Sequence, residues 1–190
     1  MVYLKQVEHP NIFFKYYEVD HKYDGYNYYI LCDENGKMLR KQLYSYRENE
    51  SNSETADRVI LYKIVEKRFS QSIIDSCTRD PYGNKRKRTE KDNWHLVRYR
   101  TVIDKETGDE IYSIENDFSD YMYLYDNIIY AVDNHNCTLL DKDGNILFEG
   151  SSSNVNVGKK SIICQSIGYS SSDKEFEVFD RKLATLIAKY

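Results

Sequence analysis

Tyr121-Met122-Tyr123-Leu124-Tyr125, Ile128-Ile129-Tyr130-Ala131-Val132, Cys137-Thr138-Leu139-Leu140 and Ile146-Leu147-Phe148 follow one another, separated only by Asp126-Asn127, Asp133 to Asn136 and Asp141 to Asn145. The runs are short and rich in β-branched and aromatic side chains, which pack well on a pleated surface. The separators are made of Asp, Asn and Gly, which hydrogen-bond their own backbone or tolerate positive φ. Runs this short with connections this tight spell a four-stranded antiparallel meander. Its last hairpin is the clearest: Asp141 can accept hydrogen bonds from the turn amides, and Gly144 can take the positive-φ position.

The same local grammar recurs along the chain. Ile30-Leu31-Cys32-Asp33-Glu34-Asn35-Gly36-Lys37-Met38-Leu39, Val102-Ile103-Asp104-Lys105-Glu106-Thr107-Gly108-Asp109-Glu110-Ile111 and Val178-Phe179-Asp180-Arg181-Lys182-Leu183-Ala184 each place an Asp between apolar runs. The last copy lacks the Gly, so a different turn type is expected there. From Asp104 to Asp141 is 37 residues and from Asp141 to Asp180 is 39, whereas from Asp33 to Asp104 is 71. A degenerate unit is therefore expected in that longer gap, with Ile73-Ile74-Asp75 and Asp80-Pro81-Tyr82-Gly83-Asn84 as its candidate. Further β-type runs precede the hairpins at Ile12 to Val19, Leu96 to Tyr99 and Ser161 to Ile167. A period of this size marks units that bury their apolar faces only when neighbours stack on them.

The apolar-Asp-x-x-Gly-x-apolar hairpins at Asp33 and Asp141, with the longer turn at Asp104, resemble those of β-propeller repeats of the WD, kelch and WG kinds. The chain has no Trp-Asp pair, no Trp-Gly dipeptide and no paired glycines. The resemblance implies an all-β, mainly antiparallel fold: a small propeller-like ring or stack of about four to five hairpin or meander units. Val2 to Val7 would pair with the last unit to close such a ring. One segment runs against the pattern. Ser51-x-x-Glu54 reads as a capping box, and Ala56, Val59, Ile60, Ile64, Phe69 and Ile73 recur at roughly helical spacing, so one helix near 54–75 is expected, with Val59 to Val65 also readable as a strand. If the helix interrupts the units, a β-sandwich or barrel with a helical insertion is the alternative.

Composition bounds the function. The 190 residues suit a single β-rich domain over 1–190, and 41% hydrophobic with 31% charged residues is ordinary globular usage. The N-terminal run lacks the pattern of a secretory leader, and no stretch approaches a membrane span, so a cytoplasmic protein without a membrane role is expected. Cys32, Cys77, Cys137 and Cys164 form no C-x-x-C pair and read as buried free thiols. The net charge of −4 weighs against a partner made of phosphate backbone.

Motifs for chemistry are few. Asp141-Lys142-Asp143-Gly144-Asn145 offers oxygen ligands but lacks the remainder of a calcium loop. His9, His21, His95 and His135 form no helical metal pair, and His135 beside Cys137 does not by itself make a nucleophile and base. No nucleotide or hydrolase motif is present, so neither cofactor nor metal is expected. Two candidate binding features remain. Lys85-Arg86-Lys87-Arg88, with Tyr82 and Trp94 as neighbouring stacking surfaces, could grip nucleic acid or an acidic partner. Tyr121, Tyr123 and Tyr125 share one face of a strand, and 19 tyrosines are more than a core of this size needs. The leading expectation is a non-enzymatic protein-binding module acting through Tyr-rich, acidic loops, for example a small inhibitor, immunity or viral counter-defence protein. The alternatives are a single-stranded nucleic-acid binder using Lys85 to Arg88, and a propeller-type hydrolase or lyase using Asp33, Asp104 and Asp141.

Overall fold

The computed structural model describes residues 4–7, 16–19, 28–33, 35–45, 51–76, 93–115, 120–167 and 174–190. The chain is all-β and antiparallel, as its runs and turns predict. The first sheet holds β1 (Leu4–Val7), β2 (Tyr16–Val19), β3 (Tyr28–Cys32), β4 (Met38–Ser45), β5 (Arg58–Arg68), β6 (Trp94–Asp104) and β7 (Glu110–Glu115) in chain order. The second holds β8 (Tyr121–Tyr125), β9 (Ile128–Asp133), β10 (Asn136–Asp141) and β11 (Ile146–Ser151). The third holds β12 (Val155–Val157), β13 (Ser161–Ile167), β14 (Lys174–Asp180) and β15 (Thr185–Lys189). Among the described residues one short α-helix, α1 (Gln71–Ser76), and a single 3-10 turn, Ser152–Asn154, interrupt the strands.

The seven-stranded sheet is two groups hinged at a narrow seam. β5 and β6 match eleven residue pairs, but β4 meets β5 only at Tyr44↔Lys63 and Ser45↔Tyr62. So short a ladder lets β4 leave the plane and fold over its neighbours. The buried Tyr44 donates its hydroxyl to Glu110 Oε1 of β7 at 2.7 Å, and Lys63 of β5 holds Glu110 Oε2 at 2.7 Å. Leu31, Tyr44, Val59, Leu61 and Ile103 form the apolar layer under this fold.

Two further layers stack the remaining sheets. Ile60, Val102 and Ile114 meet Met122, Leu124, Ile129, Ala131 and Leu140 between the first and second sheets. Ile128, Tyr130, Val132, Cys137, Leu139 and Phe148 meet Ile162, Cys164 and Phe179 between the second and third. β9 thus sends odd and even residues into different layers, and Ile128 to Val132 are all buried. This explains why the run is continuously apolar: a strand covered on both faces needs no polar alternation. The third sheet runs back over the second, with β11 against β13 and the β8–β9 turn against the β14–β15 turn. Among the described residues the sheets close into neither ring nor barrel.

Three expectations are corrected. Leu4 to Val7 pairs with Tyr16 to Val19, not with the last unit, because the adjacent antiparallel run offers a partner at lower loop-closure cost. The helix expected near 54–75 is replaced over Arg58 to Arg68 by β5, whose full ladder with β6 overrides a weak helical period; only Gln71 to Ser76 is helical. Ser51-Asn52 is a turn with Asn52 at φ 56°, not a helix cap. The degenerate hairpin unit is also absent at Ile73-Ile74-Asp75, which lies in α1. The interval from Asp33 to Asp104 is long because β5 and β6 of one group, β5–β7, are separated by 25 residues of chain. Asp80 to Asn84 lie outside the described residues. No helix among the described residues is long and apolar enough to cross a membrane.

Candidate functional site

Each Asp-led turn joins two strands: Asp33 between β3 and β4, Asp104 between β6 and β7, Asp141 between β10 and β11, Asp180 between β14 and β15. The carboxylates stabilise their own turns in two patterns. Asp33 Oδ1 accepts the amides of Asn35 and Lys37 at 2.9 Å, and Asp141 Oδ1 those of Asp143 and Asn145 at 2.9 Å. In these turns Gly36 (φ 81°) and Gly144 (φ 88°) take the left-handed position. Asp104 and Asp180 instead hold the amides two and three residues on, Glu106 and Thr107 at 2.8 and 2.9 Å, Lys182 and Leu183 at 2.8 and 2.9 Å. The left-handed seat then falls one residue later, on Gly108 (φ 73°) and on Ala184 (φ 52°). The last turn does differ from that of Asp141, and it repeats that of Asp104 with an alanine in the glycine's place.

The Asp104 and Asp141 turns meet through Arg58, and the Asp180 turn meets the β8–β9 turn. Arg58, only 7% exposed, reaches Asp104 Oδ2 at 3.0 Å and Asp57 Oδ2 at 3.2 Å, and its Nε donates to the Lys142 carbonyl at 3.2 Å, joining the first sheet to the β10–β11 turn. The buried Lys105 ammonium meets Glu54 Oε1 at 2.6 Å and the Thr55 carbonyl at 2.5 Å. Arg181 pairs with Asp126 Oδ2 at 3.1 Å and donates to the carbonyls of Gly158 and Lys159 at 2.9 and 3.1 Å. Asn127 bonds the Lys182 carbonyl with its side chain and the Arg181 carbonyl with its amide.

Between these contacts lies a cleft of about 530 Å³, walled by the 52–57 loop, the β8–β9 turn and the β14–β15 turn. Asn52, Glu54, Asp57, Asp126, Asn127, Arg181 and Lys182 supply most of the lining, with Ala56 and Leu124 as the apolar members. Eight of the ten lining residues are polar or charged, with carboxylates on the loop and the β8–β9 turn facing cations on the β14–β15 turn. Sequence reasoning flagged none of these as site residues. They read as ordinary turn residues, and only the stacking of three sheets brings them together.

The expected site residues fall elsewhere. Tyr82, Lys85, Arg86, Lys87 and Arg88 lie outside the described residues. Trp94 opens β6 opposite Arg68 and is 45% exposed. It stands at the far end of the β5–β6 ladder from Asp104, roughly 30 Å from the cleft. Tyr121, Tyr123 and Tyr125 do share a face, half-buried and packed on the layer between the second and third sheets. Their rings stand 5.5 and 6.0 Å apart, Tyr130 completes the group at 5.9 Å from Tyr121, and the Arg181 guanidinium lies 5.0 Å over Tyr125. Arg181 thus links the tyrosine layer to the cleft.

Cys32, Cys137 and Cys164 are buried free thiols. Burial pushes all three pKa values up, Cys164 to about 12, which keeps them protonated and poorly nucleophilic. His135 is exposed in its turn while Cys137 is buried in the core. Among the described residues no group of three or more His, Cys, Asp or Glu side chains is placed to hold a metal ion.

No family model matches the chain, and no curated protein matches it. It is similar to a solved structure described as "Crystal structure of the eukaryotic initiation factor", at 10% sequence identity and a TM-score of 0.36. That likeness covers 98% of this chain and 43% of the other, so the chain spans less than half the length of the protein it matches. At this score the likeness carries no argument about fold or function.

Proposed function

We propose that the chain is a non-enzymatic protein-binding module whose turn face seats a partner protein at the cleft. The observation that carries this reading is the convergence of turns from three sheets around a concave wall that holds both carboxylates and cations. Small-molecule pockets are mainly apolar with a few polar groups, whereas five of the ten residues lining this cleft carry a charge. Opposed carboxylates and cations suit a partner that brings a basic side chain to Asp57 and Asp126 and an acidic one to Lys182, where complementarity sets specificity. A small inhibitor, immunity or counter-defence protein would use such a surface. The four strand groups β1–β4, β5–β7, β8–β11 and β12–β15 act as the units of an open, propeller-like stack. The reversed order of the third sheet favours a stack over a closed ring.

The test is affinity capture from the native host, followed by reconstitution with the purified partner. Ala56 is exposed and lines the cleft, so Ala56→Arg fills it without removing a contact. A partner seated there loses about 30-fold in affinity, the size of one interface hot spot. Reconstituted binding that ignores both Ala56→Arg and Lys182→Glu, with circular dichroism unchanged, sinks the proposal.

A further inference from the structure

β5 and β6 pair over eleven residues without a register shift, so alternation along them fixes the face on which each residue stands. Ile60 and Val102 lie under the second sheet. Beyond them the same face continues through Tyr62 opposite Arg100, Ile64 opposite Arg98, Glu66 opposite Leu96 and Arg68 opposite Trp94. Three arginines thus line one side of a continuous ribbon, with Glu66 the single acidic residue at these register positions. On the flanking strands Ser45, opposite Tyr62, and Ile114, opposite Arg100, add no charge.

Arg68 is exposed, Arg98 and Arg100 are partly so, and Trp94, the only tryptophan of the chain, is 45% exposed. The strand end that carries Trp94 is well held. The Phe69 amide donates to the Asn93 carbonyl at 2.8 Å, which carries the ladder one step past Trp94, and on the other face the Phe69 ring stacks on His95 at 4.1 Å. The Arg100 guanidinium lies 5.5 Å over the ring of the buried Tyr62. Alternate residues of a strand repeat at about 6.8 Å, so Arg98 and Arg100 are spaced much like successive phosphates of an extended nucleic-acid strand. Trp94 lies about 13 Å from Arg98 along β6, two such steps.

The net charge of −4 is a sum over the whole chain and does not decide the local field. Asp57 and Asp104 sit at the opposite end of the ladder, beside Arg58. Trp94 is roughly 30 Å from them, about three Debye lengths at physiological salt.

We propose that this face of the β5–β6 ribbon binds single-stranded nucleic acid, with Arg98 and Arg100 on successive phosphates, Arg68 on a further one and a base stacked on Trp94. A basic track beside an aromatic platform is the sequence-tolerant mode of single-strand binding. An acidic protein segment would answer the arginines but leave the exposed indole without a stacking partner. The face is separate from the cleft, so neither surface depends on the other.

Titration of the full chain with oligothymidylate and with oligouridylate, followed by Trp94 emission and by anisotropy of a labelled strand, tests the assignment. A single tryptophan makes the emission report this one position. The expected result is saturable binding that quenches Trp94, with a log–log salt slope of about −2, from three phosphates at about 0.7 each. A preference between the two oligonucleotides names the sugar the face holds. Arg68→Gln combined with Arg98→Gln should bring the slope to about −0.7, and Trp94→Leu should weaken binding about tenfold, with circular dichroism unchanged. No binding tighter than about 100 μM at low salt, equal affinity for polyglutamate or for duplex, or affinity that survives both sets of substitutions overturns the proposal.

Discussion

Replacing Arg58 with Met should weaken the molecule at the junction of its first two sheets. The guanidinium is buried and meets Asp104, Asp57 and the Lys142 carbonyl, with Asp143 at 3.9 Å. Asp104 does two jobs with one carboxylate, since Oδ1 holds the turn amides and Oδ2 receives Arg58. Methionine matches much of the stem but strands that second oxygen and the carbonyl. Breaking a fully buried pair costs about 3–5 kcal/mol. Asp57 and Asp143 are about half exposed and contribute little, so the loss should be about 2–3 kcal/mol. Urea denaturation followed by circular dichroism should show a midpoint about 1 M lower with an unchanged slope. The double-mutant cycle with Asp104→Asn should return a coupling of about 1–2 kcal/mol. A variant within about 0.5 kcal/mol of the parent, or a cycle without coupling, would refute the idea that this arginine latches the sheets.

The left-handed seats give opposite predictions at equivalent positions. Gly108→Ala places a Cβ 2.8 Å from Leu39 Cδ1 at φ 73°, and should destabilise by about 1–2 kcal/mol in the same assay. Ala184→Gly relieves that conformational cost, less the entropy glycine brings to the unfolded chain, and should raise the melting temperature by up to about 3 °C. Burial raises the Asp141 carboxyl, but hydrogen bonds from the Asn145 side chain and the turn amides outweigh it and hold the pKa below the usual carboxylate value. Its contribution is therefore present above the unfolded-state pKa and lost as pH falls through the folded one. Asp141→Asn should flatten the acid limb of a stability-against-pH curve. Thiol titration of the native chain at mildly alkaline pH should leave Cys32, Cys137 and Cys164 unreacted until denaturant is added, because burial disfavours their thiolates.

What could be read from the sequence was local. Asp33, Asp104, Asp141 and Asp180 announce their turns because the side chain and the amides it binds are within four residues of each other. The meander from Tyr121 to Phe148 was legible for the same reason. Val59 to Val65 was not, because a run apolar on successive residues fits a helix or a two-faced strand, and only β6, beyond a long excursion, decides between them. The seam between β4 and β5 and the reversal of the third sheet are matters of which faces meet, and no residue type encodes them. The cleft was missed on the same account. Arg181 is a plain turn residue until Asp126, 55 positions earlier, is folded beneath it.

The three apolar layers are arranged in series, each shared only by groups adjacent along the chain. In such an arrangement the terminal groups have one sheltered side and the middle ones two. Loss of order should therefore travel inward from the outer sheets, leaving β9, clad on both sides, among the last strands to exchange its amide protons with solvent.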